Sequence, residues 1–415
     1  MKFIFLLTAS LTSTVHAQDD QMDHHDHAAM AGHHHHDMAS NPAGEYLMEQ
    51  ASGTSINPKS AAIPMIGLKT ASWNWMFMGT AYLVDTQQSG PRGGDKFYSP
   101  NWFMSAAEHS LGAGSVMFQL MASLDPATIT QRRYPLLFQT GETAFGKPIV
   151  DGQHPHDLIM ALGVQYAHPL SATTMFQLYF APVGDPALGP VAFPHRASAA
   201  ELPQATLGHH WQDSSHIANE VVTAGISHGI FRLEASGFHG REPNENRWNI
   251  DYGAIDSWST RLSISPTRNW MGQVSVGRLA HPEALEPGDI VRSTASLHYS
   301  SGGWSSSLIW GRNHKTATRS NGNSFALESV APAGRKNFIT GRIELVDKDE
   351  LFDVPFRIGA YTLGYTRDVD LIRFAQTGIG ANVTAYTFPS AIKPYYGSRP
   401  FGVNMYLRFR LRPGG

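Results

Sequence analysis

The chain contains no cysteine, which excludes disulfides, thiol catalysis and cysteine-ligated zinc or iron–sulfur centres. Charged residues make up only 16% of it, below the roughly 25% that soluble globular domains carry. The formal net charge of -3 gives no basic excess, so we expect no nucleic-acid partner. Beyond the first residues, no apolar run reaches the about 18 residues that a transmembrane helix needs. These shortages argue against a helical membrane protein.

The N-terminus has the three parts of a secretory signal peptide. Lys2 supplies the positive charge, residues 3–11 form a short apolar stretch, and Val15-His16-Ala17 fits a small-residue cleavage site. We therefore expect a signal peptide over residues 1–17. An exported chain of this length is either a soluble periplasmic or secreted protein, or a β-barrel of the outer membrane.

From about Trp73 onward, apolar and polar residues alternate in segments of roughly ten residues, the length of a barrel strand. The last segment is the clearest. Its apolar face carries Phe401, Val403, Met405, Leu407, Phe409 and Leu411, and its other face carries Asn404, Tyr406, Arg408, Arg410 and Arg412. An apolar face opposite a charged face fits a wall between lipid and a wet lumen.

The segments are joined by connections that alternate between short and long, as the two ends of an outer-membrane barrel require. Counting segments predicts an all-β, antiparallel transmembrane barrel of about 16 strands, with 14 as the alternative count. We assign residues 71–415 to the barrel, 45–70 to a linker and 18–44 to a disordered tail. Long loops are expected at 125–157, 184–215 and 314–322, among others.

The predicted tail is rich in metal ligands. Imidazole suits copper, nickel and zinc, and thioether selects Cu(I). The alternative is a solvated linker with no such role. The candidate ligands are His24, His25, His27, His33, His34, His35, His36, Met22, Met30 and Met38.

Two further groups of ligand-type residues lie in the predicted long loops. The first is His154, His156 and Asp157; the second is His209, His210, Asp213 and His216. If the loops fold inward, these histidines and His195 meet and form a metal site. The alternative is that they bond only to nearby backbone.

The sequence shows no nucleophile elbow, P-loop or dinucleotide fingerprint, so we expect no enzyme. Charges of both signs on the polar faces either tune a pore or brace the lumen. They include Arg232, Glu234, Arg261, Arg342 and Glu344.

Several segments resemble a widespread family of exported Gram-negative proteins. They are PLLFQTGETAFGKPIVDGQHPHDL, DPALGPVAFPHRASA, LGHHWQDSSHI, GREPNENRW, PEAL and YYGSRPFGVNMYLRFR. The resemblance implies an outer-membrane barrel associated with copper and heavy-metal resistance systems. The tail is similar to the front of copper resistance protein B, although it lacks the repeated MDHSxM pattern and the barrel segments differ.

Together these features predict an outer-membrane barrel that transports or sequesters metal ions, with copper favoured. No cofactor is required; copper or another divalent ion is the expected ligand. Expected partners are outer-membrane lipid, periplasmic metal-efflux or metal-resistance proteins, and identical subunits in a homo-trimer. Two alternatives stay open: a general porin for small polar solutes, and an outer-membrane hydrolase with His/Asp chemistry in inward-folded loops.

Overall fold

A computed structural model of the chain describes residues 41–352 and 354–412. Strands dominate the described residues. They are β1 (Ile66–Lys69), β2 (Asn74–Gln88), β3 (Gly94–Tyr98), β4 (Asn101–Leu111), β5 (Gly114–Ala122), β6 (Tyr134–Ala144), β7 (Lys147–Gln153), β8 (Ile159–Ser171), β9 (Thr174–Gly184), β10 (Ala218–His228), β11 (Phe231–His239), β12 (Ser257–Thr267), β13 (Trp270–Leu279), β14 (Ile290–Ser301), β15 (Trp304–Lys315), β16 (Ser320–Pro332), β17 (Asn337–Lys348), β18 (Phe356–Ile372), β19 (Ala375–Thr387) and β20 (Phe401–Leu411).

The helices are short. They are α1 (Pro42–Met48), α2 (Asp125–Thr128), α3 (His209–Gln212) and α4 (Lys393–Tyr396), with 3-10 turns at Thr130–Arg132, Phe193–His195, Ala197–Ala199, Ser214–His216 and Ser390–Ile392. Within residues 41–352 and 354–412, no helix is both long and apolar enough to cross a membrane.

Sixteen of the strands close into an antiparallel barrel. Pairing runs from β2 through β4, β5, β8 and β9 to β10, then in chain order to β20, and β20 pairs back onto β2. The predicted count of 16 strands is therefore confirmed. β1 and β3 extend the pairing at the two ends of β2.

The predicted alternation is also confirmed by the direction of the side chains. On β11 and β12, Leu233 and Leu262 are exposed on the outer face, whereas Arg232, Glu234 and Arg261 are buried inside. Closure pairs the backbone groups of every wall strand with neighbours, which a strand in a bilayer requires. A closed barrel with an apolar outer face places the chain in the outer membrane.

Short hairpins collect at one end of the barrel, where consecutive strands are joined at 111–114, 171–174, 228–231, 267–270, 301–304, 332–337 and 372–375. The long connections lie at the other end. One predicted long loop is wrong: β15 and β16 extend into 314–322 and leave only residues 316–319 between them. Polar residues such as Asn313 and Asn321 continue the ladder there instead of ending it.

The stretch 45–70 is more structured than a linker. Asn41 caps α1 by accepting a hydrogen bond from the Gly44 N–H, and Leu47 and Met48 of this helix are buried. Gln50 reaches Gln177 on the wall, so this stretch packs inside the barrel. In residues 45–70, polar and apolar side chains follow no regular period. The sequence of this stretch therefore did not predict its packing.

Candidate metal centre

Two long connections, residues 123–158 and 185–217, fold into the lumen; we call them the plug. Nearly all residues of 185–217 are buried, whereas 123–158 is buried in part and exposes the tip of its hairpin at 145–148. Their anchors to the wall are polar. Leu207 N–H donates to Glu344 at 2.6 Å, Ser198 Oγ lies 2.8 Å from Glu328, and Gln212 Nε2 lies 2.8 Å from Ser324. The charged inner faces therefore brace the plug.

Five plug histidines come together; we call His154, His156, His209, His210 and His216 the histidine cluster. Ring centroids of His154 lie 5.5 Å from His210 and 5.9 Å from His209, and His209 and His210 are 5.3 Å apart. The row continues from His209 to His216 at 5.3 Å and from His216 to His156 at 5.7 Å. The two predicted loop groups thus meet inside the barrel.

Local hydrogen bonds orient the rings. Nδ1 of His209 lies 2.8 Å from Asp213 Oδ1, one turn along α3, and Nδ1 of His156 lies 2.9 Å from Asp125 Oδ2. Nδ1 of His216 faces the Asp213 carbonyl at 2.7 Å. A carboxylate or carbonyl on Nδ1 fixes the tautomer and leaves Nε2 as the free metal-ligating atom.

Several Nε2 atoms have no protein partner. The Nε2 atoms of His210 and His216 are buried and make no hydrogen bond, and Nε2 of His154 has only Glu142 Oε1 near it, at 3.3 Å. Buried polar atoms normally find a partner, because leaving one unpaired costs about 1–3 kcal/mol. The unpaired nitrogens of His210 and His216 are therefore candidate metal-ligating atoms.

Two carboxylates complete the centre. Nδ1 of His210 lies 3.2 Å from Glu242 Oε1 and 3.7 Å from Glu283 Oε1. One ligand atom from each of the three residues lies within 4.8 Å of the others, close enough to share an ion. Both side chains are largely buried, with relative exposures of 7% and 12%. Ser214 Oγ also bonds to Glu242 Oε1 at 2.9 Å.

Two wall residues fix the backbone of His210. Its backbone oxygen accepts hydrogen bonds from Arg292 at 2.5 Å and from Asn313 at 2.9 Å. In front of the ring, Gly141 has φ +124°, and a Cβ there would lie 2.2 Å from His210 Nε2. The next residue, Glu142, places Oε1 3.3 Å from His154 Nε2 and pairs with Arg247.

Burial disfavours the charged form of three of the plug imidazoles, those of His154, His209 and His216. Desolvation lowers the pKa of His216 to about 3, with His209 and His156 adding to the effect. Desolvation also lowers the pKa of His209 and holds the pKa of His154 well below its ordinary value. Neutral imidazole is the form that binds metal, so these rings need no proton loss at pH 7.

The pKa values of the two glutamates shift in opposite directions. Burial opposes ionisation of Glu242, but His210 and Arg292 outweigh it and lower its pKa to about 2. Burial, with Glu242 beside it, raises the pKa of Glu283 well above its ordinary value. A carboxylate beside a second carboxylate resists ionisation, and a divalent cation bound between them would favour the ionised form of both.

Other predicted ligands lie elsewhere. Asp157 pairs with Arg247 at 3.2 Å and does not face the histidines. Asp213 orients His209 and pairs with Arg196 at 3.3 Å, so it supports the cluster from behind. The tail candidates, Met22 to Met38, lie outside the described residues, and their role stays a prediction.

The acidic residues Glu142, Glu242 and Glu283 were not predicted as site residues. Each lies in a segment that carries the family resemblance: GETAFG, GREPNENRW and PEAL. The contacts of Glu242 and Glu283 with His210 were not predictable, because these three residues lie in loops that are far apart in the chain.

No protein-family model matches this sequence, and no curated protein sequence matches it. Solved outer-membrane barrels do share its architecture. An anion-selective porin from Comamonas acidovorans aligns with a TM-score of 0.54 and 12% identity, covering 82% of this chain and 99% of the porin. Salmonella typhi OmpF, solved with daunomycin, aligns with a TM-score of 0.53 and 7% identity, covering 83% and 100%. The chain therefore has a porin-like fold.

Proposed function

We propose that this protein is an outer-membrane barrel that binds a divalent transition-metal cation inside its plugged lumen, for transport or sequestration. The observation that carries the proposal is the buried group of His210, Glu242 and Glu283, with unpaired imidazole nitrogens beside it. A cation there would be bound by an imidazole nitrogen of His210 and would neutralise the two carboxylates.

The donor set indicates the class of metal. Imidazole nitrogen and carboxylate oxygen suit Zn²⁺, Cu²⁺, Ni²⁺ and Fe²⁺, and this group contains no sulfur donor that would select Cu(I). Among the divalent ions, Cu²⁺ is expected to bind most tightly to such a set. A preference for copper in the cell, as the family resemblance implies, is part of the proposal.

Calorimetric titration of the full chain with Zn²⁺ and Cu²⁺ tests the proposal. The double variant Glu242→Gln/Glu283→Gln should weaken one binding event by at least about 10-fold. The matched control is Glu245→Gln/Glu286→Gln, which removes the same charge from the same two loops outside the centre. Glu245 pairs with Arg132 and Glu286 with Lys315, so neither contacts His210.

The control should keep every binding event of the parent, including those of the histidine-rich tail. Equal isotherms for parent, double variant and control would contradict the proposal. A loss in both variants would mean that general charge, and not this centre, attracts the metal.

A channel for small polar solutes is the second candidate, because the fold is shared with an anion-selective porin. The described plug fills the lumen and weighs against a wide pore. Planar-bilayer recordings separate the two: a large, metal-indifferent conductance favours the porin, and a closed or metal-sensitive barrel favours the binding function.

A further inference from the structure

Methionines form a row across three neighbouring strands of the wall. Met78 on β2 stands directly opposite Met104 on β4, and Met104 stands directly opposite Met121 on β5. All three are buried on the luminal side. Directly opposed residues of antiparallel strands have Cβ atoms about 4.5–5.5 Å apart, so these flexible side chains can bring their sulfurs together. We call these three residues the methionine row.

The surroundings of the row are unusually rich in methionine. One buried cluster contains Met48, Met65, Met76, Met78, Met104, Met117, Met121 and Met160, eight of the chain's 15 methionines. The cluster around Phe138 and Trp211 contains no methionine and is built from leucine, isoleucine, valine and aromatic residues. That cluster therefore packs without thioethers, whereas eight of them lie together around the methionine row.

A plug histidine reaches the end of the row. His195 Nε2 lies 3.1 Å from Met121 Sδ, and its ring lies 4.5 Å from that of Trp102. Burial lowers the pKa of His195 to about 4, so the ring is neutral at pH 7 and one of its nitrogens carries a lone pair. A second polar group, Gln119 Nε2, points at Met104 Sδ from 3.7 Å.

We propose that the methionine row and His195 form a second cation site, selective for a soft monovalent ion such as Cu⁺ or Ag⁺. Thioether sulfur and imidazole nitrogen are neutral donors that favour soft monovalent ions over hard divalent ones. The site uses no carboxylate and none of the residues of the histidine cluster. It goes beyond the divalent centre, and its experiment can fail or succeed independently.

One cavity is lined by His195 of this site and by His154 and His156 of the histidine cluster. Two sites of different softness in one lumen would let the barrel hold copper in both of its oxidation states.

Silver titration of the full-length protein, labelled with ¹³C at the methionine methyls, tests the site without any substitution. Ag⁺ should shift the methyl signals of Met78, Met104 and Met121 at stoichiometric amounts, while Met271, a buried methionine on β13, stays unchanged. Shifts confined to the tail methionines Met22, Met30 and Met38 would overturn the proposal.

A pair of variants provides the second measurement. Met104→Leu/Met121→Leu conserves volume and should fold, which the heat-dependent gel shift of the barrel verifies. It should lose one Ag⁺ equivalent or weaken it by at least about 10-fold, while Met271→Leu keeps it. Equal silver binding in parent and double variant would overturn the proposal. Zn²⁺ binding should be unchanged in the double variant, which separates this site from the divalent centre.

Discussion

A single glycine, Gly141, lies against the ring of His210. Gly141 has a positive φ, and a Cβ on this residue would collide with His210 Nε2. We predict that Gly141→Ala displaces the ring and weakens Zn²⁺ binding at the centre by at least about 10-fold in calorimetric titration.

The matched control is Gly146→Ala in the same hairpin. Gly146 also has a positive φ, of +71°, but a Cβ there meets nothing within 4 Å. Both substitutions therefore strain the backbone, and only Gly141→Ala pushes on the histidine. If the two variants bind Zn²⁺ alike, the ring of His210 is not a ligand.

Asp185 makes the stability of the folded protein depend on pH, and it is not part of the candidate metal centre. Burial raises its pKa to about 7 from an ordinary value of 3.8, and one carboxylate oxygen has no partner. Because the folded state holds this proton more tightly than the unfolded chain does, the stability it contributes is full below about pH 4. That stability is lost as pH rises toward 7, and the difference amounts to ~4 kcal/mol.

We therefore predict that Asp185→Asn, which cannot ionise, becomes more stable than the parent at pH 8 but not at pH 4. The temperature at which the folded band disappears from gels gives the comparison. Asp95→Asn, which removes the same charge from an exposed site, should show no such crossover. A parent and an Asp185→Asn variant that differ equally at both pH values would refute the account of Asp185.

Residue identities predicted the site only in part. The histidines of two loops were expected to meet, and the structure brings five of them together. Glu242 and Glu283 were missed because contacts between distant loops leave no periodic trace in one sequence. The positions of Met117 and Met121 were visible in the sequence, because both lie on the polar face of the strand β5 and not on its apolar face.

Among the elements, the plug is held by charges buried against the wall. The fully buried guanidinium of Arg196 pairs with Glu328 of β16 at 2.6 Å and with Asp213 of the plug at 3.3 Å. Removing one partner of a buried pair leaves uncompensated charge and costs about 3–5 kcal/mol. The buried pair of Arg196 and Glu328 therefore contributes more to holding the plug against the wall than an exposed ion pair would.

We predict that Arg196→Met lowers the thermal stability of the barrel and makes residues 185–217 sensitive to protease. Arg278→Met removes a half-exposed arginine paired with Asp289 at 2.6 Å and should cost at most about 1 kcal/mol. Melting and limited proteolysis in detergent check both. Equal behaviour of the two variants would show that Arg196 does not hold the plug.

Strands were more predictable than plug elements for a physical reason. Wall strands face lipid on one side and lumen on the other, so period-two alternation marks them, as on β20. The β6–β7 hairpin and α1 are not part of the wall and have no lipid face. Their backbone pairing follows from tertiary contacts, which alternation does not record.

At the scale of the whole molecule, the proposed function lies in the segments inside the barrel and not in its wall. The sequence predicted the 16-stranded wall but left open whether the lumen is filled, and the described plug fills it with buried histidines and glutamates. The homo-trimer, the efflux partners and the tail's metal role stay predictions. The central claim is that a cation binds inside the barrel.

Anomalous X-ray diffraction from crystals of the full chain grown with Zn²⁺ tests this claim most directly. We predict an anomalous peak inside the lumen, at about 2.0–2.2 Å from a His210 nitrogen and from oxygens of Glu242 and Glu283. A map with well-ordered plug residues and no peak between these three side chains would contradict the account.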